Sequence, residues 1–568
     1  MRTFTTLVLL LAISAACLAS FNARNVKQTD VFGREFTMMT GSGYSHTTVQ
    51  TDRKEHLFHP DLALQNYKDF TATLQDKQAF VPRESTITEC QPGNPDFFKM
   101  LATTVAALKS VPDTTHITSF CYERIVFQMD ELEDGTSTTS ITAFGKKQLT
   151  CTESYLVSTG KHFHLFTLPT TGIYRYTFTG LDEEEMNYIA VKGVSFMRFC
   201  DSIFHFIPSL LKTAQLFIGG LGLSPTVPFF GSHVPIEMQK ANVQFIKEAT
   251  GYEWRERPSN HYIQYDAKHF QSGDFLAITR FDGIDNIIHW GAGSHSGHSV
   301  MALWDNSVKP AQLYIVESQD GWYWPNHGLQ RTKWEQWRTW AHNADFNIAH
   351  LPLKRHLAEK FDEKKAWAWF DETKGMPYGY RNFLFGWIDT PFQNFPSVLD
   401  MNFAYLVFRL LEKINHAITD QLLKEALNWR VGGKDLDLWE IEQKALSQGK
   451  TINDLFAMVE PEGIKYSDGY SYVCSAYVMS FYYRSGMLGD IVGQATEFTP
   501  RDVYTLDVFE KDWKKPQECH DNDPELPYCQ IMGRWKMDLP GYSSVRPYSH
   551  MAERCPSQAP DYFRPHGC

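Results

Sequence analysis

Several familiar signatures are missing from this chain, and each absence removes a class of chemistry. There is no His-Glu-x-x-His, no Cys-x-x-Cys and no Gly-x-x-x-x-Gly-Lys, so the commonest zinc, dithiol and nucleotide-phosphate motifs are excluded. No Gly-x-Ser-x-Gly elbow occurs, which lowers the case for a serine hydrolase. The glycines of "GAGSHSG" precede a strand-like run instead of opening a helix, so a dinucleotide site is disfavoured. Long basic runs are lacking too. With a formal net charge of -12, nucleic acid is not expected as a partner. No Asn-x-Ser/Thr sequon is present, which says nothing about activity. The strongly apolar stretch 203–230 is broken by Pro208, Lys212 and a Gly-Gly-Leu-Gly run. It reads as a core or interdomain element before a membrane span, and is a candidate membrane or lipid contact.

What is present points to a well-packed exported protein. The 568 residues are 43% hydrophobic and 14% aromatic, enough for two or three domains with real cores. Residues 1–20 carry Arg2, an apolar run from Leu7 to Leu18 and the small Ala19, and read as a signal peptide. The expected location is therefore secreted, or a lysosomal or vacuolar lumen. Of the ten cysteines, Cys17 leaves with that peptide. Cys90, Cys121, Cys151 and Cys200 form one even group, and Cys519, Cys529, Cys555 and Cys568 another. Even groups in an oxidising compartment read as disulfides, each group with three connectivities open. Cys474 is left over. It is either a used thiol or a buried core cysteine, and counting alone holds the two readings level.

The chain divides by pattern. Residues 21–84 are polar, mixed and of unclear structure, and a propeptide is one reading of them. From 85 to 205, "SFCYERIVFQM", "TTSITAFG", "ESYLVSTGKHFHLFTL" and "GIYRYTFTG" alternate like strands, predicting a disulfide-stapled β-domain, a sandwich by preference. Residues 206–250 connect it to a second domain, 251–499. There "GDFLAIT", "GHSVMALW" and "QLYIVES" predict three strands, followed by a mostly helical stretch that includes an insertion near 390–460. Residues 500–568 are loop-rich and are expected to wrap that domain as a tail.

The chemistry centres on "GYSYVCSAYVMSFYYRSG", residues 469–486. "SDG" (467–469) reads as a turn and Ser471 as a cap. Tyr477, Val478, Phe481 and Tyr482 form a helical apolar face, and Gly486 is the stop. Cys474 then sits in the first turn, where free N–H groups and the helix dipole favour a thiolate. Such a nucleophile needs a base and a group to orient it. His289, His295 and His298 compete for the first role. His298 opens the strand "HSVMALW", which aims it rigidly, whereas His289 and His295 bracket a glycine-rich loop and read as ordinary core or surface histidines. Glu317, at the end of the next strand, is the candidate orienting carboxylate. Trp334, Trp337 and Trp340 recur every three residues along one helix face and read as core, with a cleft lining as the sharper alternative.

The order of these motifs resembles the circularly permuted papain-like hydrolases of the NlpC superfamily, the YiiX-like branch in particular. The resemblance rests on Gly273-Asp274, the "GH" before the histidine strand, the strand ending in Glu317, "GMPYGY" (375–380) and "YVCSAYV". It covers roughly 265–490. It implies an α+β chain whose permuted papain-like domain carries a helical insertion and follows the mostly-β domain. It also implies Cys474 as nucleophile, His298 as general base and Glu317 as the third polar residue, with no cofactor. Tyr378, Tyr472 and Trp290 are the candidate binding residues. Ala476 departs from the acidic residue often found two positions after the cysteine, and the segment between Tyr378 and Cys474 is longer than the family usually has. The implied activity is hydrolysis of an amide, with a cell-wall peptide favoured, through an acyl-enzyme. A lipid acyl hydrolase or acyltransferase is the alternative on the same fold. A non-catalytic glycan- or partner-binding protein on a papain-like scaffold is the rival from another class.

Overall fold

The computed structural model describes residues 102–199, 233–319, 328–383 and 401–549, apart from a few positions inside those spans. It also describes two short antiparallel strands, β1 (Lys27–Thr29) and β2 (Glu35–Thr37). The expected signal peptide, most of 21–84, the apolar run 203–230, Cys90, Cys200, Cys555, Cys568, Trp322, Trp324 and Trp387 lie outside the described residues.

Alternating side chains build the first unit as two four-stranded antiparallel sheets. One runs β3 (Ala102–Leu108), β10 (Val194–Phe199), β7 (Glu153–Ser158), β8 (Phe163–Leu168). The other runs β4 (Asp113–Ile117), β5 (Tyr122–Glu133), β6 (Thr136–Lys146), β9 (Gly172–Thr179). Their inward residues share one core, where the Phe127 ring meets Tyr155 at 5.4 Å and Phe196 at 4.7 Å. The staple is a disulfide between Cys121 and Cys151. A helix, Glu183–Lys192, interrupts the expected run of strands; Asp182 caps it and Gly193 ends it.

The second unit is built on a six-stranded antiparallel sheet. The three expected strands are β11 (Phe275–Thr279), β12 (His298–Asp305) and β13 (Gln312–Gln319). With β14 (Gly328–Lys333), β15 (Asn347–Leu351) and β16 (Cys529–Met532) the order is β14-β13-β12-β11-β15-β16. Period-two alternation sends Val300, Ala302 and Ile315 to one face, against Trp334 and Trp337 of the helix Trp334–Asn343. It sends Met301, Leu303 and Val316 to the other, against the helix Cys474–Arg484. Trp334, Trp337 and Trp340 are all buried, so the tryptophan stripe is core.

Two boundaries differ from expectation. The segment after 500 is no mere wrap: β16 completes the sheet, and Val503, Tyr504, Val508, Phe509, Met537 and Leu539 enter its larger core. A second disulfide, Cys519–Cys529, fastens that strand to the short helix Gln517–Asn522. The second half of the connecting segment is the helix Ile236–Thr250, and its Val243, Phe245 and Ile246 belong to the same core. The two disulfides fit an extracellular or lumenal setting.

The segment expected to be a helical insertion does consist of helices, from Met401–Glu412 through Leu438–Ser447 and Ile452–Phe456, with a core of Leu423, Leu427, Leu438, Ile441, Leu455 and others. It also meets the sandwich. Leu406 packs on Leu156 and Met197, Arg409 donates to the Gly160 carbonyl at 3.1 Å, and the Trp439 indole N–H donates to Glu184 at 2.9 Å.

Candidate active site

The cysteine helix is buried on every side from Cys474 to Tyr483, which explains why its apolar face was only part of the story. Each tyrosine body fills core while its hydroxyl finds a partner. Tyr477 bonds the Thr373 hydroxyl at 2.7 Å, Tyr482 donates to the Gly273 carbonyl at 3.0 Å and Tyr483 to the Tyr548 carbonyl at 2.9 Å. Anchored at those points, the helix holds Cys474 as its first residue. Val473, not Ser471, is the N-cap, and it makes no side-chain capping bond. The first N–H groups are therefore not taken by a side-chain cap, which suits an anion at this end. Gly486 adopts the left-handed conformation just past the helix, as a stop should.

Two glycines set the approach to that helix. A Cβ on Gly379 would lie 2.3 Å from the carbonyl carbon of Tyr472 and 2.6 Å from the nitrogen of Val473, so only glycine lets the two backbones pass. The Gly379 N–H donates to the Tyr472 carbonyl at 3.0 Å, and the Ser318 hydroxyl donates to the same oxygen at 2.7 Å. Strand β13 thus grips the residues before Cys474 directly. Gly297, beside His298, packs on the buried Asp285 carboxyl, where a Cβ would clash at 2.2 Å. Burial and the neighbouring Asp282 push the Asp285 carboxyl well above the usual range.

His298, Glu317 and Cys474 come together. The His298 Nε2 lies 2.9 Å from Glu317 Oε2, and Cys474 neighbours the same imidazole closely enough to raise its pKa. Burial works against a charged imidazole here. The neighbouring Cys474 outweighs it, with Glu317 adding to the effect, and the His298 pKa is pushed up to about 10. Glu317 has its second oxygen filled as well, by the Trp337 indole N–H at 3.0 Å and the Gln330 amide at 3.1 Å. Trp337 and Gln330 were not among the expected site residues. Cys474 is the one free cysteine among the described residues, and it is 3% exposed.

The competing histidines sit elsewhere in the same neighbourhood. His289, on the helix Gly283–Ala292, stacks on Trp254 at 5.8 Å and lies 3.4 Å from the Thr279 hydroxyl. His295 donates to the Asp538 carbonyl at 2.8 Å and contacts the rings of Tyr252 and Trp254. Burial lowers His289 to about 3 and His295 to about 4, so both are neutral near pH 7, His289 in the core and His295 at its edge.

The three candidate binding residues fare differently. Tyr378 is half-buried, its ring 5.0 Å from Tyr380. The Tyr472 ring is core, among Trp369, Tyr470 and Tyr477; its contribution to the site is its carbonyl, which fixes the chain ahead of the cysteine. Trp290 falls on the helix Gly283–Ala292, and its side chain lies outside the described residues.

Among the described residues no cluster of three His, Cys, Asp or Glu side chains is placed to hold a metal, and no helix is long and apolar enough to cross a membrane. No family model matches the chain, and neither a curated protein nor a solved structure is found similar to it.

Proposed function

We propose that the chain is a cysteine hydrolase of the permuted papain-like kind, in which Cys474 is the nucleophile, His298 the base and Glu317 the residue that orients it. The observation that carries this reading is the linked set Cys474–His298–Glu317, with the sulfur at a helix N-terminus and the carboxylate fully occupied. In the proposed cycle His298 takes the proton of the thiol as it attacks, and the helix end favours the developing negative charge on sulfur. The sulfur adds to an amide carbonyl, and N–H groups at the start of the helix receive the oxyanion. The imidazolium gives its proton to the departing amine, leaving a thioester. Water then attacks as His298 takes a proton from it, the acid leaves, and the proton returns to the pair. The favoured substrate is a cell-wall peptide amide, with a lipid acyl group as the alternative on the same site.

The rival reading, a retained scaffold that binds without catalysis, is supported by the low exposure of Cys474. Iodoacetamide labelling of the native, non-reduced protein across pH separates the two. Activated chemistry predicts that Cys474 alone labels, already at mildly acidic pH, and that His298→Ala slows it. Hydrolysis of cell-wall peptides against phospholipids, with Cys474→Ala as the blank, then assigns the bond. A Cys474 that stays unlabelled, or labels like a free thiol whatever stands at 298, sinks the hydrolase reading.

A further inference from the structure

One end of the β-sandwich carries a surface with no role in the thiol chemistry. It is the end opposite the hairpin around Gly160, which meets the helical insertion. Strand β6 stops at Lys146 and β7 starts at Glu153; the turn between them is pinned by Cys151, which is bonded to Cys121 and donates its N–H to the Gln148 carbonyl at 3.2 Å. On this rigid turn Leu149 is 92% exposed. Beside it lies the start of β9. Lys146 bonds the Pro169 carbonyl and so ties the two loops together. The register pairs Thr142 with Ile173 and Arg124 with Phe144, which places Ile173 (56% exposed) and Phe144 (41% exposed) on the outer face at the same end.

Single exposed apolar residues mean little, but three at one end, one on a pinned turn and two on strands, need an explanation. The charges there are basic: Arg124, which lies over the Phe144 ring at 4.6 Å, Lys146, and Lys147, whose ammonium also donates to the Ser119 carbonyl at 2.7 Å, against Glu123, on a chain whose net charge is -12. The geometry points to this tip as a contact for an anionic lipid surface. Leu149, Ile173 and Phe144 would enter the headgroup layer, and the three basic side chains would meet the lipid phosphates and carboxylates. A highly exposed, disulfide-pinned apolar turn with basic side chains beside it suits a layer that side chains can penetrate better than it suits a close-packed protein face. The inference is independent of the thiol reading and holds for a binding protein as well as for a hydrolase.

Vesicle co-sedimentation of the full chain tests it, with phosphatidylcholine alone and with added phosphatidylserine. The expected result is binding to the phosphatidylserine vesicles that weakens roughly ten-fold or more in Leu149→Asp. Lys146→Glu together with Lys147→Glu is expected to remove the preference for the anionic lipid and its salt dependence. Ile173→Asp serves as a second variant, since both positions are open and tolerate charge in the fold; unchanged thermal midpoints confirm that. Absent binding, equal binding to neutral vesicles, or binding that survives Leu149→Asp and Ile173→Asp each overturns the proposal. The last outcome would place the lipid contact elsewhere on the chain.

Discussion

Two histidine–carboxyl pairs face the same side of the six-stranded sheet, and they differ in what lies beyond the imidazole. At both, Nε2 is 2.9 Å from a carboxyl oxygen: His298 with Glu317, His350 with Asp274. The other nitrogen of His350 meets the Tyr265 hydroxyl at 2.7 Å, inside a core where both partners are fully buried. The neighbour of His298 beyond its carboxyl is the Cys474 thiol, at the start of a helix. The carboxyls differ too. Asp274 accepts from the backbone of Gln271 at 2.8 Å and of Leu353 at 2.9 Å, so it sews chain segments together. Glu317 is held by side chains, Trp337 and Gln330, so it holds a pose instead of a fold. An imidazole beside a carboxylate is thus no catalytic signature by itself. On the proposed reading, the neighbouring thiol and the way the acid is held make the difference.

The largest effects are expected where that comparison is broken outright. Cys474→Ala removes alkylation and any hydrolysis completely. His298→Ala lowers the labelling rate at mildly acidic pH by about a hundred-fold or more, the scale of a lost general base. His350→Ala leaves the labelling rate of the folded protein as it was. If His350→Ala slows labelling as much as His298→Ala does, the two pairs are not functionally distinct and the assignment is wrong.

Stability should show the reverse order. Asp274→Ala strands the Leu353 N–H and His350 in a dry core and releases the Gln271 N–H at its edge, and is expected to cost on the order of 3 kcal/mol. Glu317→Ala disturbs side chains only and should cost less. Urea midpoints of the two variants decide this, and a larger loss for Glu317→Ala would remove the structural reading of Asp274.

The three residues that meet here were legible beforehand for physical reasons. An odd cysteine count isolated Cys474, strand alternation aimed His298, and the end of β13 supplied Glu317. What stayed hidden was direction. A three-residue tryptophan spacing says core, but nothing in it says that one indole N–H points at a carboxylate. Gly379 and Gly297 were visible as glycines, while the backbone and carboxyl that exclude a Cβ come from distant parts of the chain. Strand β15 escaped notice because "NIAHL" carries Asn347 and His350 in its interior, where Asn347 donates to the Thr279 carbonyl at 3.0 Å. Strand β16 is only four residues long and sits among prolines and glycines, so its segment read as a tail.

The histidines also predict a pH profile with two limbs. His289 and His295 have folded pKa values of about 3 and about 4, below the 6.5 of a free imidazole. The unfolded chain binds more protons between these values, so stability falls as pH drops below about 6.5. His298 is shifted the other way, to about 10. Its contribution is fully present below 6.5 and is lost as pH rises through 10. Urea midpoints from pH 4 to 10 should therefore trace a dome, about its highest near neutrality. His298→Ala should flatten the alkaline limb alone, and an unchanged alkaline limb would show that the Cys474–His298 pair does not carry the charge inferred for it.

The finest test concerns Trp337, which ties the tryptophan core to Glu317. Trp337→Phe keeps most of the packing and removes one hydrogen bond to the carboxylate, worth about 1 kcal/mol, or roughly five-fold in rate if it is felt in the transition state. A purely structural tryptophan would lower the urea midpoint and leave the pH profile of Cys474 labelling in place. A tryptophan that positions the acid would shift that profile, because Glu317 would lean on the imidazole less firmly and the imidazolium would be less well supported. Gln330→Leu, which removes the other donor on the same oxygen, should shift the profile in the same sense. A shift in either variant without a matching change in stability would mark the core behind β13 as part of the site. A stability change alone would confine the site to the three residues that touch.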